Sequence, residues 1–167
     1  TCPSTTGLTY TVPNDAGVTY TWNYTGADAT INGTTNSVTI DFGASATSGN
    51  VEVTATNACG TSAAQTTAVT IGAAPATPGA FTASTATTCP SITALTYTVP
   101  NDAGVTYSWN YTGADATING TTNSVTIDFG ASATSGNVEV TATNACGTSA
   151  AQTTAVTIGT APATPSA

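Results

Sequence analysis

Apolar and polar residues alternate along several short stretches of this chain, which is the pattern of a β-strand with one buried face. The clearest stretch is residues 18–24, where Val18, Tyr20, Trp22 and Tyr24 alternate with Thr and Asn. The same period of two recurs at Leu8, Tyr10 and Val12, at Val38, Ile40 and Phe42, at Val51, Val53 and Ala55, and at Val69 and Ile71. Each run predicts a half-buried strand.

Turn-forming residues separate these runs. They occur at residues 13–17, 32–33, 42–50 and 57–60, which are rich in Gly, Asn, Asp and Pro. Short strands separated by such turns are typical of an antiparallel β-sandwich. The many threonines fit this prediction, because a branched Cβ favours extended backbone and the hydroxyl keeps the outer face polar.

The whole pattern occurs twice, with a period of 87 residues. Residues 1–80 match residues 88–167 at 75 of 80 positions. A repeat of domain size predicts an array of identical folding units. We assign residues 1–73 to repeat 1, residues 74–160 to a Pro-containing linker plus repeat 2, and residues 161–167 to the start of the next linker.

The first strand of repeat 1 is expected to lie outside this sequence. Residues 81–83 (Phe-Thr-Ala) are predicted to form the first strand of repeat 2, and their counterpart would precede Thr1. We expect the sequence to come from a longer array. We therefore hypothesise that repeat 1 borrows this strand from a preceding segment or from a neighbouring subunit.

Composition excludes several classes of partner. The chain has no Lys, Arg or His and a net charge of −8. Nucleic-acid binding depends largely on cations that displace counterions from phosphates, and docking on anionic membranes needs basic clusters, so neither is expected. No apolar run approaches the roughly 18 residues that a membrane-spanning helix needs. We expect no membrane insertion, and we expect any export signal to lie outside this sequence.

The cysteines indicate an oxidising, extracellular or cell-surface location. They occupy equivalent places in the two repeats: Cys2 and Cys59, then Cys89 and Cys146. Without histidine they do not match common zinc sites, so disulfides are the natural interpretation. The period alone does not choose a pairing, because Cys59 with Cys89 would repeat along an array as regularly as Cys2 with Cys59.

Catalysis and metal binding are not expected from these residues. Asp15, Asp28, Asp41 and Glu52 could in principle form acid–base pairs, but they lie in turns or on outward-facing strand positions. Hydroxyl nucleophiles abound, yet no His or Lys is present to act as a base. Calcium is the metal that such oxygen ligands could hold, but closely spaced carboxylates are lacking. We predict no enzyme activity, cofactor or metal.

The sequence also contains possible sites for attaching or binding carbohydrate. N-glycosylation motifs occur at Asn23, Asn32, Asn110 and Asn119, and threonines suited to O-linked sugar include Thr77 and Thr82. With one third of the residues being Ser or Thr, such motifs are expected by composition alone. The row of Tyr20, Trp22 and Tyr24 could stack on a sugar, although a buried core position explains Trp22 better.

The chain resembles the PKD-like, immunoglobulin-like repeats of secreted and cell-surface proteins of Bacteroidota. The resemblance rests on Cys2 ahead of the run at residues 8–13, on residues 18–22 and 37–42, and on residues 51–63 with their Asn-Ala-Cys-Gly motif. It implies disulfides within each domain, Cys2–Cys59 and Cys89–Cys146. On a chain-entropy model a 58-residue loop of this kind contributes about 4 kcal/mol.

We therefore predict an all-β protein of two tandem immunoglobulin-like, PKD-like antiparallel β-sandwiches. Such repeats resemble spacers, stalks and adhesin modules, so the predicted function is a non-catalytic structural unit of an extracellular filament or adhesin stalk. Its expected partners are neighbouring copies of the same repeat, together with glycans. The alternative is a carbohydrate-binding or adhesive module of a secreted surface protein.

Overall fold

The computed structural model describes residues 1–160, and every regular element in this range is a β-strand. The chain divides into two compact units, Thr1–Ala73 (unit 1) and a second unit that begins at Ala74 (unit 2). The predicted linker start at residues 161–167 lies outside the described residues. Within residues 1–160 no helix is long and apolar enough to cross a membrane.

Unit 1 contains seven strands arranged in two antiparallel sheets. The strands are β1 (Leu8–Thr11), β2 (Thr19–Tyr24), β3 (Ala29–Asn32), β4 (Ser37–Phe42), β5 (Gly49–Asn57), β6 (Gly60–Thr61) and β7 (Gln65–Val69). One sheet has the order β1-β4-β3, and in the other β5 pairs with β2, β6 and β7. Strands β4 and β5 are therefore the central strands of the two sheets.

The core of unit 1 lies between these two central strands. Along β4, the side chains of Val38, Ile40 and Phe42 are buried and alternate with partly exposed polar residues. They form one apolar cluster with Val51 of β5 and with half-buried neighbours on the other strands. The period of two thus gives each sheet one apolar face, and the two faces pack against each other as in an immunoglobulin-like sandwich.

Unit 2 repeats this arrangement and adds one strand. Its strands are β8 (Thr87–Thr88), β9 (Leu95–Thr98), β10 (Thr106–Tyr111), β11 (Ala116–Asn119), β12 (Ser124–Phe129), β13 (Gly136–Asn144), β14 (Gly147–Thr148) and β15 (Gln152–Ile158). Strands β9 to β15 pair as β1 to β7 do. The added strand, β8, lies parallel to the end of β15 and is the one parallel pairing among the described residues.

The predicted alternating runs all contribute to strands, but three kinds of element differ from prediction. Strands β3 and β11 carry only one large apolar residue each. The hairpin strands β6 and β14 are only two residues long. None of these four strands therefore gives a clear periodic signal. The predicted strand at residues 81–83 is reduced to an isolated bridge between Ala83 and Thr98. The regular strand at this edge is β8 instead.

Because β12 is buried, we expect that shortening its central side chain, Ile127, strongly lowers the stability of the fold. Ile127 is fully buried, whereas Ile92 in the same unit is 41% exposed. Replacing Ile127 by Ala should destabilise the fold by about 2–4 kcal/mol, because the lost methyl groups leave a cavity. The matched control, Ile92→Ala, should change stability by less than about 0.5 kcal/mol. Chemical denaturation followed by circular dichroism measures both, and equal effects would contradict the assigned core.

Buried tyrosines predict a loss of stability at alkaline pH. Burial raises the pKa of Tyr97, with a smaller rise from the neighbouring Tyr111 and a lowering by the hydrogen bond to Thr85. The neutral phenol is thus favoured in the folded state. The contribution of the neutral phenol to stability is complete below about pH 10, the pKa of tyrosine in the unfolded chain. It is lost as the pH rises through the higher pKa of the folded state. With thiols blocked, the melting temperature should fall above about pH 10, and less so in a Tyr97→Phe variant.

Candidate functional site

The carboxylates that could have formed a catalytic pair instead accept hydrogen bonds from neighbouring backbone and side-chain amides. Asp41 accepts hydrogen bonds from Gly7 N (2.7 Å) and Asn32 Nδ2 (2.8 Å), one at each carboxylate oxygen. In the same way Asp28 accepts a bond from the backbone N–H of Ser45 (2.8 Å). These contacts explain how acidic residues are accommodated without cations, since the bonds to charged oxygens are comparatively strong.

The remaining acidic residues also have structural contacts. Glu52 accepts a hydrogen bond from Asn23 Nδ2 (3.0 Å) across the β2–β5 pair, and Glu139 does the same with Asn110 in unit 2 (2.9 Å). Asp15 lies in a turn, where its backbone N–H donates to the hydroxyl of Tyr20 (2.7 Å). Among residues 1–160 no three His, Cys, Asp or Glu side chains come together in a group that could hold a metal ion.

The four asparagines of the glycosylation motifs are exposed. Asn32 Nδ2 donates to Asp41, and its equivalent Asn119 donates to Asp128 (2.9 Å), while Asn23 and Asn110 contact glutamates. The two threonines predicted to carry O-linked sugar, Thr77 and Thr82, are exposed as well. Attachment of sugar at these six residues stays a prediction.

The aromatic row is only partly available to a ligand. Trp22 is half-buried against the unit 1 core, and its indole N–H donates to the carbonyl of Thr35 (2.8 Å). The ring of Tyr24 packs edge-on against Phe42 at 5.2 Å, and its hydroxyl donates to Thr47 O (2.7 Å). These residues therefore serve mainly to pack the sandwich and to fix its loops.

Cys2 lies at one end of the unit 1 sandwich. The preceding residue, Thr1, donates its amino group to Thr70 O (2.9 Å) and accepts a hydrogen bond from Gly72 N (2.8 Å). Thr70 directly follows β7, and Gly72 lies two residues further on. The last residue of β7, Val69, pairs with the first residue of β5. Cys2 is therefore next to the beginning of β5.

Cys59 lies at the opposite end of the same sandwich. Its backbone N–H donates to the side chain of Asn57, the last residue of β5 (2.8 Å). The nine residues of β5 span roughly 27 Å, whereas a disulfide needs Cα atoms within about 7 Å. Cys59 carries a free, exposed thiol. The Cys2–Cys59 bridge implied by the family resemblance is thus wrong, because β5 holds the two residues apart.

The same geometry separates the two cysteines of unit 2. Cys89 follows β8, next to the end of β15 and the start of β13, and has a free, exposed thiol. Cys146 lies in the turn after β13, where its N–H donates to Asn144 Oδ1 (2.7 Å). The Cys89–Cys146 bridge is therefore wrong as well. Cys2 and Cys146 are each disulfide-bonded, so a disulfide is present, but neither implied bridge is formed.

Unit 1 also has an open groove, which lies between the end of β1 and strands β5 and β7. This unit 1 groove has a volume of about 460 Å³, and Val12, Tyr20, Val53, Ala55 and Gln65 are among its lining residues. A cavity of about 50 Å³ that shares Val12 and Gln65 adjoins it. Apolar side chains next to strand backbone are suited to an extended peptide.

A family model described as a PKD-like domain matches residues 1–69 and 74–156. The chain belongs to the PKD-like domain family. Each match coincides with one of the two sandwiches, so both units belong to the family. Members of this family and of the immunoglobulin-like class are typically extracellular and non-catalytic. Among curated proteins, none matches this chain.

Solved structures support the same fold. An I-band fragment of titin is similar to this chain with a TM-score of 0.50 and 13% identity over 91% of the chain. An E-to-A variant of the same titin domains gives a TM-score of 0.50 and 14% identity, also over 91%. The matched region covers 60% of each titin chain. At such low identity the likeness shows an immunoglobulin-like fold and nothing further.

The cysteine geometry predicts the number of reactive thiols. The native chain should react with two equivalents of maleimide, at Cys59 and Cys89, as measured by intact mass and peptide mapping. Cys2→Ser should raise the count from two to three, because removing one half of a disulfide releases the other. Cys59→Ser is the control and should lower the count to one. A native protein without reactive thiols, or a Cys2–Cys59 peptide pair, would contradict this placement.

Proposed function

We propose that this chain is a structural repeat module of an extracellular filament or an adhesin stalk, without a catalytic role. The observation that carries the proposal is the combination of two sandwiches, each with its own core, with a sequence period of 87 residues. Units of the same surface can repeat one contact many times, and a repeated contact that does not close into a ring builds a fibre.

Several physical features support an extracellular setting. A disulfide is present, and disulfides persist in oxidising compartments. The absence of Lys and Arg leaves no cleavage site for trypsin-like proteases, which would favour survival outside the cell. The linker between the units contains Pro75 and Pro78, which restrict backbone rotation. An origin in a secreted or surface protein of Bacteroidota is part of this proposal and rests on the sequence resemblance.

A non-catalytic role is supported by the contacts of the polar side chains. The carboxylates of unit 1 whose side chains have partners, Asp28, Asp41 and Glu52, contact amides rather than each other. The chain also has no histidine or lysine to act as a general base. Glycans are proposed as secondary partners through the exposed asparagines, and no nucleic-acid partner is proposed.

Electron microscopy of the native assembly tests the proposal. We expect filaments with an axial repeat that corresponds to one or two sandwiches, each at least roughly 27 Å long because of its nine-residue central strand. After reduction of the disulfide, cleaving the linker between the units should fragment the filaments while each unit retains its β-sheet circular dichroism. Monodisperse single chains under native conditions, with saturable binding to a glycan array, would instead favour the carbohydrate-binding alternative.

A further inference from the structure

Each unit contains one asparagine that is followed by glycine. These asparagines are Asn32, before Gly33, and its equivalent Asn119, before Gly120. Every other asparagine of the chain precedes a residue that has a side chain. The backbone nitrogen of the next residue can attack an asparagine side chain, and glycine hinders this attack least because it lacks a Cβ atom. Asn32 and Asn119 are therefore the asparagines whose amides are chemically least stable.

Asn32 lies at the end of β3, which is an edge strand of its sheet. It pairs with Thr39 in the last pair between β3 and β4, and Gly33 is the first residue beyond this pair. Both Asn32 and Gly33 are exposed, and Gly33 has a φ of 116°. In unit 2 the equivalent Gly120 has a φ of 117°. Such a φ favours glycine, so the turn itself places the least hindering residue directly after the asparagine.

The side chain of Asn32 donates to a carboxylate across the β3–β4 pair. Its Nδ2 lies 2.8 Å from Asp41 Oδ2, and in unit 2 the equivalent distance, from Asn119 to Asp128, is 2.9 Å. The other carboxylate oxygen of Asp41 accepts a hydrogen bond from Gly7 N (2.7 Å). An ionised carboxylate can only accept hydrogen bonds. The contact therefore requires a donor at position 32.

The surroundings of this contact offer no charge that could replace the amide donor. The neighbouring positions on the same face of the sheet, on β1, β3 and β4, are the uncharged Thr9, Thr30 and Thr39. The chain has no Lys, Arg or His. A carboxylate in place of the Asn32 amide would therefore face Asp41 as a second negative charge. Two like charges at hydrogen-bond distance repel each other.

We propose that Asn32 and Asn119 are sites of spontaneous deamidation, which turns the hydrogen bond to Asp41 or Asp128 into a repulsion between two carboxylates. The backbone nitrogen of the following glycine bonds to the side-chain carbonyl carbon, and the amide nitrogen leaves as ammonia with the proton of the glycine N–H. One water molecule then opens the cyclic imide and leaves an aspartate or an isoaspartate. The reaction loosens the edge strands β3 and β11 as the protein ages. Sugar on the amide nitrogen would block the reaction, so the inference applies to the unglycosylated chain.

Peptide mapping of the aged chain tests the reaction itself. Freshly purified chain is compared by tandem mass spectrometry with chain incubated for weeks at neutral pH. Residues 25–42 recur unchanged in unit 2, so one peptide reports both sites. This peptide also contains Asn36, which is followed by serine and serves as an internal control. We expect the mass increase of an amide converted to an acid at Asn32, part of it as isoaspartate, while Asn36 keeps its amide.

Variants of unit 1 in the full chain test the repulsion directly. Asn32→Asp should lower the first melting temperature in calorimetry by about 2–8 °C, the range expected when a chain of this size loses one hydrogen bond to a charged group. Adding Asp41→Asn exchanges the amide and the carboxylate, so a donor again faces an acceptor and the melting temperature should recover. Asn57→Asp is the charge-matched control and should leave the melting temperature unchanged. The side-chain oxygen of Asn57 accepts a hydrogen bond from Cys59 N (2.8 Å), which a carboxylate accepts equally well.

Acidification and ageing complete the test. Repulsion makes the folded Asn32→Asp variant bind a proton more readily than its unfolded chain does, so its loss of stability should shrink below about pH 4. Aged native chain, separated by anion exchange, should melt below fresh chain, and this comparison holds even if the variant does not fold. No conversion at Asn32, equal conversion at Asn36, an unchanged melting temperature of the aged chain, or no recovery with Asp41→Asn would overturn the inference. These results do not bear on filament formation, so the proposed function is tested separately.

Discussion

The packing of two apolar sheet faces against each other is the interaction on which this molecule depends. In each unit one strand has the sequence Val-Thr-Ile-Asp-Phe. Its Val, Ile and Phe side chains are buried and pack against the central strand of the other sheet. Ile40 and Ile127, at the middle of these strands, have no exposed surface. Because the domains are small, this single layer of contacts provides most of the apolar burial that holds each fold together.

Polar interactions are arranged around that layer without a single cationic side chain. Carboxylates accept hydrogen bonds from backbone N–H groups and from asparagine amides, and threonine and serine hydroxyls pair across strands, as Thr11 and Ser37 do at 2.7 Å. Such bonds contribute modestly one by one. Their wider effect is to fix loops and strand edges, so the outer surface stays polar.

Equivalent residues of the two units differ in burial. In unit 2, Tyr97 is buried, its hydroxyl donates to Thr85 O, and β15 extends to Ile158 beside β8. In unit 1, the equivalent Tyr10 is half-exposed and β7 ends at Val69. In unit 2 the segment 81–88 thus completes the core as well as the sheet, because Phe81 packs on Tyr97 and β8 pairs with β15.

The sequence by itself determined the strands with clear alternation, the antiparallel sandwich and the period of the repeat, because these depend on local geometry and on which face of a strand is apolar. It did not reveal β3 or β6, whose apolar signals are too short. Cysteine pairing also depended on tertiary structure, because only strand direction and register place Cys2 and Cys59 at opposite ends of β5. The burial of Tyr97 has the same origin. Tyr10 and Tyr97 occupy equivalent positions of the repeat, and tertiary contacts with Phe81 and Thr85 accompany the burial of Tyr97.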